Sequence, residues 1–306
     1  MSIPNLIRID VCIATYKRPH LLEKLLQSIT EQSIINSIYL RIIIIDNDPE
    51  QSADNIVKSF FDKKDFVYIY DVQPEKNISL TRNKALDYTN AEYIAFIDDD
   101  EWADPTWLES LLTTSQQFNA DCVFGPVTPI FATTEPDWII KGGFFIQNIN
   151  AITGTNVQMG STNNVLIKAT PQIKNLLKFN LVYGLTGGED TELFHRLYFN
   201  DAKLIWCNEA NVYEFIPKDR MTLDWLIKRS LREGQVFSKI FYSEKNLLIK
   251  AIQLLKRISY LLTLIIIFPF ALFLGKSKWI WVLRKIMTNA GQISSLINYQ
   301  VYQEYK

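Results

Sequence analysis

Glycine is absent from the first 124 of this chain's 306 residues. A GxGxxG dinucleotide turn and a P-loop both need glycine where the backbone closes on phosphate, so neither can form there. A nicotinamide dehydrogenase and a P-loop kinase are thereby disfavoured. Histidine is nearly as scarce, with only His20 and His195, which leaves no material for a His-rich metal centre. The three cysteines, Cys12, Cys122 and Cys207, lie far apart without CxxC spacing, so neither a disulfide framework nor a zinc site is expected. No charge of one sign dominates: 32 Lys and Arg face 33 Asp and Glu, and no nucleic-acid partner is expected. The N-terminal MSIPNLIRIDVCIATYKRP lacks a basic-then-apolar signal segment, so the expected compartment is the reducing cytoplasm.

The chain is long enough for one large α/β domain and a smaller appendage. Ile9–Ala14, Leu40–Ile45, Phe66–Tyr70 and Tyr93–Ile97 are short apolar runs that read as buried strands. Between the first of them, Pro19 opens a helix with Leu21, Leu22, Leu25, Leu26 and Ile29 on one face, and a second helix turns Ala53, Ile56, Val57, Phe60 and Phe61 inward. Asp104-Pro105 reads as a further helix start, with Asp as cap. Such alternation implies parallel strands with crossover helices in a doubly wound sheet. Ligands of these sheets lie beyond the carboxyl ends of the strands, where Thr15, Tyr16, Asp46 and Asp98-Asp99-Asp100 all fall. From Val123 to Trp206 short strands and loops take over, read as the acceptor half of the same domain.

Three adjacent carboxylates after YIAFI repel one another, and crowding them is unfavourable without a cation. A hard divalent metal completed by diphosphate oxygens relieves that repulsion; a solvated acidic turn is the plainer alternative. With no glycine loop available, phosphate charge must be met by metal and basic side chains. Arg82 in SLTRNKAL is the candidate, set against a solvated helix arginine. Glu189-Asp190 follows Gly187-Gly188 at a helix start, where the dipole favours negative charge. Asp190 is placed to take a proton from an attacking hydroxyl, and a simple helix cap stands beside that reading.

The segments VCIATYKRPHLLEKLLQSI, IIIIDND, SLTRNKAL, YIAFIDDDEW and TGGEDTELFHRL occur in order over about residues 8–200. In that order they resemble the family 2 glycosyltransferases of the GT-A fold, including those of bacterial exopolysaccharide and lipopolysaccharide biosynthesis. The resemblance implies a doubly wound mixed sheet and transfer of a sugar from a nucleotide diphosphate-sugar, expected to be a UDP-sugar. It implies that Thr15, Tyr16, Arg18, Asp46 and Arg82 bind the donor, Asp46 through the base. Asp98 and Asp99 would hold ribose and donor, and Asp100 with Asp98 would ligate Mn²⁺ or Mg²⁺. Asp190 would be the base of an inverting transfer, and Glu189 would orient the base or acceptor. Many relatives carry a late histidine ligand; NVYEFIP offers Glu214 instead, and His195 reads as a packed helix residue. RSLREGQ, with Arg229, Arg232, Gly234 and Gln235, resembles a basic helical element of some such transferases; it would clamp a diphosphate or be an amphipathic surface helix. Trp138 is either an acceptor-stacking or a core residue.

The expected catalytic domain is residues 1–217, divided at 122/123 into donor and acceptor halves, followed by a helical, membrane-associating region, 218–306. Thr222–Phe241 is long and amphipathic, and Ile258–Gly275 carries no charge between Lys256-Arg257 and Lys276, Lys278. Three arrangements stay open for that run: a short transmembrane helix, a re-entrant or interfacial helix pair, or a helix buried on the protein. Membrane association on the cytoplasmic side suits a saccharide or lipid-linked acceptor. Two rivals stand: a sugar-nucleotide pyrophosphorylase, which needs a glycine-rich N-terminal loop, and a non-catalytic membrane scaffold of the same fold.

Overall fold

The structure is a computed structural model that describes residues 6–131, 135–146 and 151–297. Its first part alternates strand and helix: β1 (Ile7–Thr15), α1 (Pro19–Thr30), β2 (Ile38–Asp46), α2 (Asp54–Phe61), β3 (Val67–Val72), α3 (Ile78–Asp87) and β4 (Tyr93–Ile97). Then follow β5 (Glu101–Ala103), α4 (Trp107–Phe118), β6 (Cys122–Phe124), β7 (Val127–Phe131), α5 (Asp137–Gly142), β8 (Asn164–Lys168), α6 (Pro171–Leu176), α7 (Glu189–Tyr198), β9 (Leu204–Trp206) and β10 (Val212–Ile216). Three long helices end the described chain: α8 (Leu223–Tyr242), α9 (Leu247–Leu272) and α10 (Lys276–Leu296).

The main sheet has the order β3-β2-β1-β4-β8-β6-β9, with β8 antiparallel to both neighbours, so it is mixed. A strand buried on both faces reads as a continuous apolar run, and its side chains alternate between faces. β2 obeys this: Ile42 and Ile44 enter one core cluster with α1 and α2, while Ile43 and Ile45 enter another with Phe179, Leu193 and Phe194. β1 divides likewise, Val11 and Ile13 to one side and Cys12 to the other. All three cysteines are buried and free.

A second sheet, β5-β10-β7, shifts one expected boundary. Helix α4 begins at Trp107, not at Asp104, because Glu101–Ala103 pairs antiparallel with β10 and the Asp104 N–H donates to the Asn211 carbonyl. The Asp104 carboxylate instead accepts from the backbone and hydroxyl of Thr106, tightening the turn before the helix.

The chain forms two compact units. One comprises 1–129, 147–185 and 189–215; the other 130–146, 186–188 and 216–306. Segments 130–146 and 186–188 therefore belong with the helical unit.

Within that helical unit, α8 and α10 cross at Gly234 and Gly291. A Cβ on Gly234 would lie 2.0 Å from the Thr288 carbonyl oxygen, and one on Gly291 2.0 Å from that of Leu231. Backbones this close admit no side chain. Gly234→Val should cost about 1–3 kcal/mol by forcing the helices apart, read as a lowered melting temperature; an unchanged melting curve would show that the crossing is not tight. Arg229 pairs with Glu233 on the surface and lies over Trp225, whereas Arg232 is buried. Trp138 packs against Phe144 with Lys276 over its ring, which fits its core reading.

Candidate active site

β1 and β4 are parallel neighbours, so their carboxyl ends bring Thr15 and the acidic run together. Thr15 is buried and its hydroxyl donates to Asp99 at 2.8 Å; the Tyr16 N–H donates to the same oxygen at 3.3 Å. The turn that follows uses a non-glycine residue in the left-handed region, Lys17 at φ 56°. Arg18 reaches Asp99 at 3.1 Å and Asp100 at 2.8 Å. Burial pushes the Asp99 carboxyl well above the ordinary carboxylate range, with Arg18 opposing and Asp100 adding to the shift. Burial alone would lower the Arg18 guanidinium, but Asp100 and Asp99 outweigh it and raise it. The Tyr16 ring is flanked by Lys17 at 5.4 Å and Lys76 at 5.0 Å.

The carboxylate of Asp46, the residue expected to contact the base, is held within the fold. It is wholly buried at the end of β2, one oxygen accepting from the Asp48 N–H and the other from the Ala53 N–H and the Tyr70 hydroxyl. A short carboxylate after a strand captures the nearest backbone donors, and here it organises the β2–α2 turn. Asn47 beside it donates to the carbonyls of Gln73 and Glu75 and accepts from the Asn77 N–H. Asn77 in turn caps α3 through the Leu80 N–H.

That cap fixes the helix carrying Arg82, which is buried rather than solvated. Its Nη2 donates to Asp98 at 3.1 Å, and its Nη1 is in close contact with Glu189. One guanidinium thus joins the end of β4 to the start of α7, residues far apart in sequence. Burial raises the Glu189 carboxyl above its ordinary range, Arg82 opposing and Asp190 adding. Burial likewise raises Asp98, with Arg82 opposing and Asp100 and Asp190 adding. The Asp190 Oδ1 accepts from its neighbour Thr191, and its Oδ2 makes no hydrogen bond among the described residues. The approach to this pair runs through Gly187 at φ 76° and Gly188 at φ 93°, conformations that other residues adopt only with strain.

Glu101, which directly follows the aspartate run, completes the acidic group. It is buried, accepts from the Asp98 N–H at 3.1 Å and sits opposite Glu214 in the β5–β10 register. Burial raises its carboxyl far above the usual range, and Asp98, Asp100 and Glu214 add to the shift. Among the described residues no three His, Cys, Asp or Glu side chains form a ready-made metal cage. His195 packs its ring against Phe199 at 4.5 Å.

The model of glycosyl transferase family 2 matches residues 10–171, a span that includes the parallel strands β2, β3 and β4 and the acidic run. The chain belongs to that family. It is 33% identical over 234 residues to the succinoglycan biosynthesis protein ExoM of Rhizobium meliloti, covering 76% of this chain and 75% of that protein. It is 25% identical to a glucosyl-dolichyl phosphate glucuronosyltransferase of Haloferax volcanii, over 67% of this chain and 69% of that one. Among solved structures, the mannosyltransferase PcManGT of Pyrobaculum calidifontis, in complex with GDP-Man and Mn²⁺, superposes with a TM-score of 0.65 at 16% identity, covering 97% and 89% of the two chains. S. aureus TarS 1–349 in complex with UDP-GlcNAc gives 0.56 at 12% identity, covering 97% and 93%. The GT-A fold and the glycosyltransferase family are thereby established for this family 2 enzyme.

Proposed function

We propose that this enzyme moves a sugar, with inversion, from a UDP-sugar to a saccharide or lipid-linked acceptor in cell-surface polysaccharide synthesis. The observation that carries the reading is Arg82 holding Asp98 and Glu189 together, so that the donor-side carboxylates and the acid pair share one site. Asp190 takes the proton of the acceptor hydroxyl while that oxygen bonds to the anomeric carbon. The bond from that carbon to the β-phosphate oxygen breaks, and its electron pair leaves with the nucleoside diphosphate. Tyr16, with Lys17 and Lys76 about its ring, and Thr15 are placed for the donor at the end of β1. Arg18 and Arg82 hold the carboxylates in position and supply positive charge near the diphosphate.

The donor set suits a hard divalent cation: only carboxylate oxygens, crowded enough that their mutual repulsion adds to the rise that burial causes in Asp98, Asp99 and Glu101. Mn²⁺ or Mg²⁺ would be held by Asp100, with Asp98 and Glu214, and completed by diphosphate oxygens, as small cations are when a protein offers few ligands. When bound, it supplies charge that stabilises the departing diphosphate. The free, buried cysteines and the apolar α9 support a location on the cytoplasmic side of the membrane.

A thermal-shift panel of UDP-, GDP- and other nucleotide sugars, each with and without Mn²⁺, tests the reading. One UDP-sugar should raise the melting temperature, and only with the metal. No shift with any nucleotide, on folded protein, would leave the non-catalytic scaffold as the better account. A GDP-sugar shift would replace the donor class alone.

A further inference from the structure

Helix α9 is, among the described residues, the one helix long and apolar enough to cross a membrane. At roughly 1.5 Å per residue its 26 residues measure about 39 Å, so length alone permits a crossing of a bilayer core of about 30 Å. Packing within the helical unit says otherwise. The uncharged run of α9 lies against the first turns of α10, in a cluster of Leu264, Phe268 and Ala271 with Trp279, Val282 and Ile286. Those same turns of α10 carry Lys276, Lys278, Arg284 and Lys285. They are also tied to charged and polar parts of the unit: Ser277 donates to the Trp138 carbonyl, and Arg284 donates to Ser230 of α8. Carrying α9 across a bilayer would take these cations and the α8–α10 pair to the same depth, where each charge is costly.

The outward surface of α9 has a different character. Ile265, Ile266 and Ile267 are 51%, 68% and 44% exposed, and consecutive helical residues point about 100° apart. Apolar exposure therefore extends around about 200° of the helix, more than one protein stripe covers. It continues through Phe270 to Phe273 and Leu274 at the turn into α10. Exposed Lys256, Lys276 and Lys278 flank the run, as suits anionic headgroups.

We propose that the α9–α10 hairpin binds a single leaflet of an anionic phospholipid bilayer, with α9 lying in the plane of the surface and both its ends on the same side. The inference rests on the membrane location proposed above and replaces a membrane-spanning tail with a monotopic one.

The first arm is co-flotation of the full-length protein with phosphatidylcholine vesicles, with and without phosphatidylglycerol. The protein should float with the anionic vesicles. The Ile266→Glu/Phe270→Glu double variant should lose partitioning by about tenfold or more, since such binding scales with buried apolar area. Retention of the metal-dependent UDP-sugar thermal shift by the variant would show that it is folded. Flotation without any nucleotide shift would sink the transferase reading and leave this one standing. The second arm places single cysteines at Ser243→Cys and Lys278→Cys, on either side of α9, in sealed inverted membrane vesicles. The native cysteines are buried, and the unsubstituted protein serves as the labelling control. An impermeant maleimide should label both positions from one side. Labelling from opposite sides would establish a spanning helix and overturn the proposal. So would failure to float with either vesicle, together with dissociation of a dimer by the double variant, because the face would then belong between two copies.

Discussion

Asp190→Asn should leave donor binding intact and lower transfer by roughly a thousandfold, within the range of about 10²–10⁴ for loss of a general base. The substitution keeps the size of the side chain and the acceptor that Thr191 engages at Oδ1, but the amide cannot take a proton. Binding and chemistry should therefore separate: an unchanged thermal shift with UDP-sugar and metal, an unchanged KM, and a collapsed kcat. Glu189→Gln should behave differently. Glu189 is buried on Arg82, so its loss disturbs the position of the site and should move KM and stability along with kcat. Turnover retained by Asp190→Asn would remove the base assignment and turn attention to Glu189 or to a water. A second use of metal follows from the same site: chelation should abolish the donor thermal shift, and Asp100→Asn should do the same in the presence of Mn²⁺. Undiminished UDP affinity in that variant would remove Asp100 from the metal set.

The parts of this protein that were legible in the sequence are those governed by local periodicity. The Ile-rich β2 could only be a strand buried on both faces, and the leucines after Pro19 could only line one side of a helix. The acidic run stood out because three adjacent carboxylates at the end of an apolar strand repel one another, a crowding that a divalent cation would relieve. What escaped depends on contacts between distant segments. Nothing near Asp46 announces that Ala53 and Tyr70 will engage its oxygens and that it will lie wholly buried. Asp104-Pro105 has the composition of a helix start, yet the pairing of Glu101–Ala103 with β10 delays the helix to Trp107. The same pairing sets Glu101 opposite Glu214, more than a hundred positions away, and the Glu214 charge adds to the rise of the Glu101 carboxyl. The membrane question was open for a related reason: composition describes α9 alone, whereas the cations and polar contacts that bear on a crossing sit on α8 and α10.

Arg82→Met should destabilise the fold by about 3–5 kcal/mol, because it leaves a carboxylate buried without its partner. Glu189 is buried, and its Oε2 has no hydrogen-bond partner, so Arg82 is its principal compensation. Already raised by burial, the Glu189 carboxyl should rise further once the opposing guanidinium is gone. The unfolded chain titrates near the ordinary carboxylate value, so the folded variant holds a proton that the unfolded chain releases as pH rises. Its stability deficit should therefore be smallest in acid. Because wild-type Glu189 is itself raised, the deficit should open only as pH climbs past that wild-type folded value toward the variant's still higher one, and level off above it. Arg82→Met/Glu189→Gln should recover the part of the loss and of its pH dependence that comes from Glu189, while Asp98, the other carboxylate that Arg82 holds, keeps the rest and transfer stays abolished. Urea denaturation of the wild type, both single variants and the double variant over a pH series measures the coupling directly. A deficit that is independent of pH and not recovered in the double variant would mean that Arg82 supports the fold through packing, for instance against the Phe179 ring 5.7 Å away, and not through charge.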